Sequence, residues 1–165
     1  MAERAPNYYV IKDTREQSGY YFSPHDACLG MIEDKLDTGD YSILGLEDKI
    51  CIERKASPEE LALNLGKDKV RFMKEIERMM AFDHRFLILE FTLEDLIRFP
   101  DLTRIPKEKR PTVKITGKYM SKMLMEFQLY NNIHVLFCGS MNNGFQVTSS
   151  IFKRINEKYT IGRQD

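Results

Sequence analysis

The stretch Gly39-Asp40-Tyr41-Ser42-Ile43-Leu44-Gly45-Leu46-Glu47-Asp48-Lys49-Ile50-Cys51-Ile52-Glu53-Arg54-Lys55 decides how this chain is read. Two short apolar runs, Tyr41-Ser42-Ile43 and Ile50-Cys51-Ile52, flank a connection that contains Gly45 and Asp48, the pattern of a β-hairpin. Side chains alternate along a strand, so Ile50, Ile52 and Arg54 take one face while Cys51, Glu53 and Lys55 take the other. Asp40 stands at the mouth of the first strand, across the hairpin from Glu53 and Lys55. Two carboxylates and one ammonium group therefore converge on a sheet edge.

Carboxylates are hard oxygen ligands, and the metal they suit is Mg²⁺ or Mn²⁺. Such an ion lowers the pKa of a bound water and neutralises charge on a phosphate during in-line attack. Lys55 is of the type that orients a nucleophile or stabilises a crowded anionic transition state. Taken alone the pattern is not specific, because Gly-Asp turns and Glu-x-Lys strands are common surface features. Arg54 sharpens it. On simple alternation it points toward the core, where an unpaired guanidinium is expensive. It needs a carboxylate, for which Asp13, Glu16 and Glu59 are candidates, unless the strand ends at Ile52 and Arg54 reaches solvent.

Around this hairpin the chain reads as strands followed by alternating helices and strands, an α/β layered pattern. Tyr8 to Ile11 is a buried strand ending in Lys12-Asp13-Thr14-Arg15-Glu16, Gly19 to Asp26 is loop, and Met31 to Asp37 is a further strand. Ser57, Pro58 and Glu60 predict a capped helix start with a complete capping box. A second helix follows Gly66, with Phe72, Ile76, Met79 and Met80 at helical spacing. Phe86 to Phe91 is a buried strand, Thr92 caps a short segment to Phe99, and Pro100 to Gly117 is an exposed loop. Met120, Met123, Leu124 and Phe127 mark an amphipathic helix over 118–131, then comes a strand over 133–137 and a last helix over 144–158.

With 165 residues and 42% hydrophobic content the chain fits one domain with a real core. No apolar run approaches a membrane span, and the start of the chain has no signal segment. Cys28, Cys51 and Cys138 form no CxxC pair and fit a reduced cytoplasmic or nuclear interior better than disulfides or zinc. The 25 basic and 25 acidic residues balance. A protein held on nucleic acid by charge alone is normally basic, so DNA binding here must rest on local asymmetry or on partners. Lys67, Lys69, Arg71, Lys74 and Arg78 offer one basic track, and Lys107 to Lys122 a second, although single charges of this kind are usually solvated. His25, His84 and His134 show no ligand spacing.

Three linked motifs then resemble one family. Asp13-Thr14-Arg15-Glu16, Gly39-Asp40-Tyr41 and Glu53-Arg54-Lys55 followed by Glu59 look like the D-x-R-E, GDY and ERKxxxD motifs of XPF-type structure-specific nuclease domains, within the PD-(D/E)xK superfamily. The resemblance covers about Tyr8 to Lys158. It implies a restriction-endonuclease-like fold, a central mixed β-sheet flanked by helices. It implies metal binding by Asp13, Asp40 and Glu53, a catalytic Lys55, and organising or phosphate-contacting roles for Arg15, Glu16, Arg54 and Arg71. Glu59 stands where the family more often has Asp, and a longer side chain there can still reach Arg54. The expected activity is Mg²⁺- or Mn²⁺-dependent endonucleolytic cleavage of flapped, forked or branched DNA, in DNA repair or recombination. Alternatives are a Holliday-junction nuclease, or a non-catalytic pairing module, whose kind typically loses the acids or lysine retained here. The helix-hairpin-helix module of larger members is not expected in these residues. A homodimer through helices 118–131 and 144–158, or a protein partner, would then supply grip on DNA. A phage or prokaryotic setting suits so small a nuclease.

Overall fold

A computed structural model describes residues 6–161 apart from 102 and 104. The described residues form six strands: β1 (Tyr8–Asp13), β2 (Cys28–Asp34), β3 (Tyr41–Ile43), β4 (Ile50–Lys55), β5 (His84–Leu89) and β6 (His134–Phe137). They make one mixed sheet in the order β2-β1-β3-β4-β5-β6. β3 pairs antiparallel with β1 and β4, whereas β1 with β2, β4 with β5 and β5 with β6 are parallel. The expected α/β architecture, a central mixed sheet flanked by helices, is the one observed.

Helices α1 (Pro58–Leu65), α2 (Lys69–Met79), α3 (Leu93–Ile97) and α4 (Gly117–Asn131) cover one face. Their Leu61, Leu65, Phe72, Ile76, Leu96, Met123 and Phe127 pack on Cys51, Leu87 and Leu89 of the sheet. Helix α5 (Met141–Ile161) covers the other face, where Phe152 and Ile155 join Val10, Tyr41, Ile50, Ile52 and Ile88. Each such side chain taken fully out of water contributes roughly 1.5–3 kcal/mol. β4 is thus buried on both faces, and its alternation is as read: Cys51 faces the four helices, Ile50 and Ile52 face α5.

Four local expectations need correction. The second strand starts at Cys28 and ends at Asp34, with a register shift against β1 beside Gly30, so a bulge hides its alternation. Ser57 Oγ does accept from the Glu60 N–H at 3.2 Å, but the Glu60 carboxylate bonds the Ala56 N–H at 2.7 Å, one residue earlier than a capping box requires. Met80 lies beyond α2 and is exposed. Within Pro100–Gly117, Lys107–Thr112 is a short 3₁₀ helix and Ile105, Val113 and Ile115 pack on the core. Residues 102 and 104 of that stretch, like 1–5 and 162–165, lie outside the described residues.

Gly39 makes the turn into β3 with φ of +84°, and a Cβ there would stand 2.6 Å from Cys51 Sγ and 3.0 Å from the Ile52 carbonyl oxygen. Left-handed backbone costs an L-residue about 1–2 kcal/mol before that clash is counted. Gly39→Ala is expected to lower unfolding stability by at least ~2 kcal/mol in urea titration. A midpoint equal to wild type would show that the turn is less constrained than its geometry indicates.

Candidate active site

The ends of β1 and β4, the start of β3, the start of α1 and one side of α2 open into a cleft lined by Asp13, Arg15, Glu16, Asp40, Glu53, Arg54 and Lys55. Seven of the nine site residues expected from the sequence are therefore brought together, and Arg71 joins them from α2. Glu59 does not. The first turn of α1 aims it into a separate apolar hollow beside Leu63 and Ile115, while Glu60, one residue on, lines the cleft. Adjacent helical residues point about 100° apart, so the acid that the cleft receives from α1 is Glu60.

Asp13 closes β1 and is buried. Its Oδ2 accepts from Arg15 Nε at 2.8 Å and its Oδ1 from the Leu36 N–H at 2.8 Å. Burial pushes its pKa up, but the bonds from Arg15 and Leu36 and the guanidinium charge outweigh that and hold it below the usual carboxylate range.

Asp40 is fixed at three points. Its N–H donates to the Ile52 carbonyl at 2.7 Å, its carbonyl accepts from the Asp13 N–H at 2.8 Å, and its Oδ2 accepts from the Arg54 N–H at 2.8 Å. Burial, with the charges of Glu53 and Glu16, pushes its pKa well above the ordinary carboxylate value.

Glu53 Oε1 accepts from Lys55 Nζ at 3.0 Å, as side chains two apart on one strand face permit. Burial raises the Glu53 pKa against the opposing pull of Lys55. For Lys55, burial works against the charge, but Glu53, Glu60 and Asp40 together raise its pKa above the ordinary lysine value. Its ammonium also lies 4.9 Å from the centre of the Phe72 ring.

Arg54 turns to the opposite face, and its partner is Glu90, which the sequence reading did not name. Nε donates to Glu90 Oε2, Nη2 to Glu90 Oε1 at 2.8 Å, and Nη1 to the Ser18 carbonyl at 3.1 Å. Of the three candidates, Glu16 stands nearby at 3.7 Å, Asp13 is engaged by Arg15, and Glu59 faces elsewhere. Burial opposes the charge on Arg54, but Glu90 and Glu16 hold its pKa above the usual arginine value.

Arg71, Glu75 and Arg78 form one stripe of α2 along the cleft. Glu75, Glu60, Asp37 and Glu90 were missed, and only the helical phase of Glu75 relative to Arg71 offered a signal. The rest of the basic track disperses. Lys69 Nζ bonds Tyr119 Oη at 2.7 Å, Lys67 and Lys114 border the apolar hollow, and Lys118 and Lys122 border another beside Leu129.

Seven carboxylates and five cationic side chains line the cleft. Among the described residues, no three His, Cys, Asp or Glu side chains form a ready metal cage. Mg²⁺, however, is commonly held by one or two carboxylates, with waters and phosphate completing its shell. Hard oxygen donors, an excess of negative charge and an Asp40 pKa raised by burial and by neighbouring carboxylates fit such an ion. Asp40 and Glu53 are the residues that would hold it. Asp13 would join only by giving up bonds to Arg15 and Leu36.

The ERCC4 domain family matches residues 12–151. The chain belongs to that family. ERCC4 domains are nuclease domains acting on DNA, in keeping with the XPF-type resemblance of the motifs. Among solved structures the chain is similar to XPF from Aeropyrum pernix, at 19% identity and a TM-score of 0.62, over 94% of this chain and 69% of that one. It is also similar to XPF from Aeropyrum pernix in complex with DNA, at 19% identity and a TM-score of 0.61, over 92% and 66%. At this identity the likeness is one of fold, and the chain spans about two thirds of those proteins. No curated protein sequence matches it. Among the described residues, no helix is long and apolar enough to cross a membrane.

Glu53→Gln removes the nearest charge that sustains the Lys55 ammonium. The Lys55 pKa is then expected to fall, because burial acts with less opposition. Titration of the Lys55 side-chain carbon by NMR reads this directly, and a pKa equal to or above that of wild type would contradict the pairing.

Proposed function

We propose that the chain is a metal-dependent endonuclease that hydrolyses phosphodiester bonds in flapped, forked or branched DNA. The observation that carries this reading is the buried Glu53–Lys55 pair set beside Asp40 in a cleft rimmed by Arg71 and Arg78. Asp40 and Glu53 would hold Mg²⁺ or Mn²⁺, and Asp13 would join them by releasing Arg15 and Leu36. The ion, when bound, activates water and neutralises phosphate charge. Lys55, kept protonated by Glu53, donates toward the reacting phosphate or its attacking water. Arg15, Arg71 and Arg78 contact flanking phosphates, and a planar guanidinium suits that task.

Family membership and the likeness to a structure solved in complex with DNA support DNA as the substrate. The chain has no net charge, so grip beyond the cleft comes from a second copy or a partner protein. Met125, Leu129 and Tyr130 on α4 are exposed apolar side chains that suit such a contact. Repair or recombination is the setting in which branched DNA arises.

Purified protein with Mg²⁺ or Mn²⁺ should nick flap, fork or junction substrates. Asp40→Ala and Lys55→Ala should each lower the cleavage rate by at least ~10²–10³-fold, the scale of losing one transition-state contact. Cleavage by both variants at the wild-type rate would remove the reading. Arg71→Ala and Arg78→Ala should weaken DNA binding across sequences, and each should reduce the salt slope by about one. An unchanged slope in both would take α2 out of the DNA contact.

A further inference from the structure

Arg54 borders the cleft, but its partner Glu90 lies on the face of the sheet that α5 covers, and one peptide group ties the pair to the Asp40 carboxylate. The N–H of Arg54 donates to Asp40 Oδ2 at 2.8 Å, so the place of the Arg54 backbone sets the place of the Asp40 carboxylate. Glu90 holds the Arg54 side chain by both carboxylate oxygens, and its own N–H continues the ladder to the Lys55 carbonyl at 2.9 Å.

Tyr20 completes the arrangement from the 19–26 loop. Its Oη donates to Glu90 Oε2 at 2.7 Å and its ring lies 5.3 Å from the Arg54 guanidinium. Its N–H donates to Tyr41 Oη at 2.7 Å, and the two rings stack with centroids 5.3 Å apart. Tyr41 adjoins Asp40 in the chain. Asp40 is therefore braced twice from the same hub, through the Arg54 amide and through Tyr41. Helix α5 seals the hub at Gly144, where a Cβ would run into the Tyr20 hydroxyl.

We propose that Glu90, with Tyr20, is a positioning residue of the nuclease site: it clamps Arg54 from the far face of the sheet and so sets where Asp40 stands to receive the metal. The inference rests on the nuclease reading above. Glu90 does not line the cleft, and it acts on Asp40 through Arg54 and Tyr20.

The test compares wild type with Glu90→Gln and Tyr20→Phe in two readouts, Mn²⁺ affinity by calorimetry and kcat against KM on a branched DNA. Supporting groups behind metal ligands typically carry 10–100-fold in affinity or activity. Glu90→Gln is expected to weaken Mn²⁺ binding and lower kcat by roughly that factor, with KM for DNA unchanged. Tyr20→Phe should move both in the same direction by less. A variant pair that loses only melting temperature, with Mn²⁺ affinity and kcat per folded molecule as in wild type, would make the hub merely structural and overturn the inference. Should Glu90→Gln fail to fold, Tyr20→Phe decides by the same criterion. Wild type that neither cleaves nor binds Mn²⁺ sinks the nuclease reading and this inference together, whereas active wild type with unaffected variants sinks the inference alone.

Discussion

Three charged residues end a central strand that is buried on both faces, and the rest of the site is arranged to make that tolerable. A buried ion stripped of its partner costs about 3–5 kcal/mol, so each charge of Glu53-Arg54-Lys55 needs a counterpart within reach. Glu53 and Lys55 share a face and satisfy each other. Arg54, on the opposite face, can use neither. In the parallel ladder it stands beside Ile88 of β5, and two residues further along the chain, just past the end of β5, the side chain on that same face is Glu90. The pairing register of β4 and β5 thus chooses the partner of Arg54, and the hydrophobic core that fixes the register also fixes the ion pair.

This division of charge gives the two faces different work. On the helix-covered face, Glu53 and Lys55 remain at the edge of the cleft with Asp40, Glu60 and Glu75, and cations enter from Arg71 and Arg78 on α2. The floor is anionic and the rim cationic. An anionic floor repels a polyanion, while the cationic rim attracts its backbone. Overall neutrality of the chain is no obstacle, because the asymmetry is local. On the α5 face, the same strand end is closed by Arg54, Glu90, Tyr20 and Glu16, and the hydrogen bonds of that group run inward.

The hairpin, the facing of β4, the helix read over 118–131 and the motif residues around Asp13, Asp40 and Glu53 were legible because each depends on local alternation or spacing. What escaped depends on register or phase. Glu90 lies 36 residues from Arg54, and nothing in the chain marks which acid a parallel crossover will bring beside it. Glu59 and Glu60 are neighbours in sequence; the helix start at Ser57 and Pro58 was legible, and it was the motif spacing after Glu53-Arg54-Lys55 that pointed to Glu59. β2 was displaced by a bulge beside Gly30, since alternation fails where two residues oppose one. Tyr20 sits in a stretch legible only as loop, although packing against Tyr41 and Phe145 makes it part of the core.

A hydrocarbon core could have closed the α5 face at this point, with less demand on geometry. Replacing a buried ion pair by well-packed apolar groups is often neutral or stabilising by 1–4 kcal/mol. Apolar contacts, however, are non-directional and tolerate small shifts, whereas a bidentate Arg–carboxylate contact is satisfied in one orientation. The peptide N–H that holds Asp40 belongs to the residue so oriented. Directional bonding behind the sheet is therefore transmitted to a carboxylate in front of it through one rigid, planar peptide unit. Stability that an apolar cluster would supply is exchanged for a defined position of Asp40.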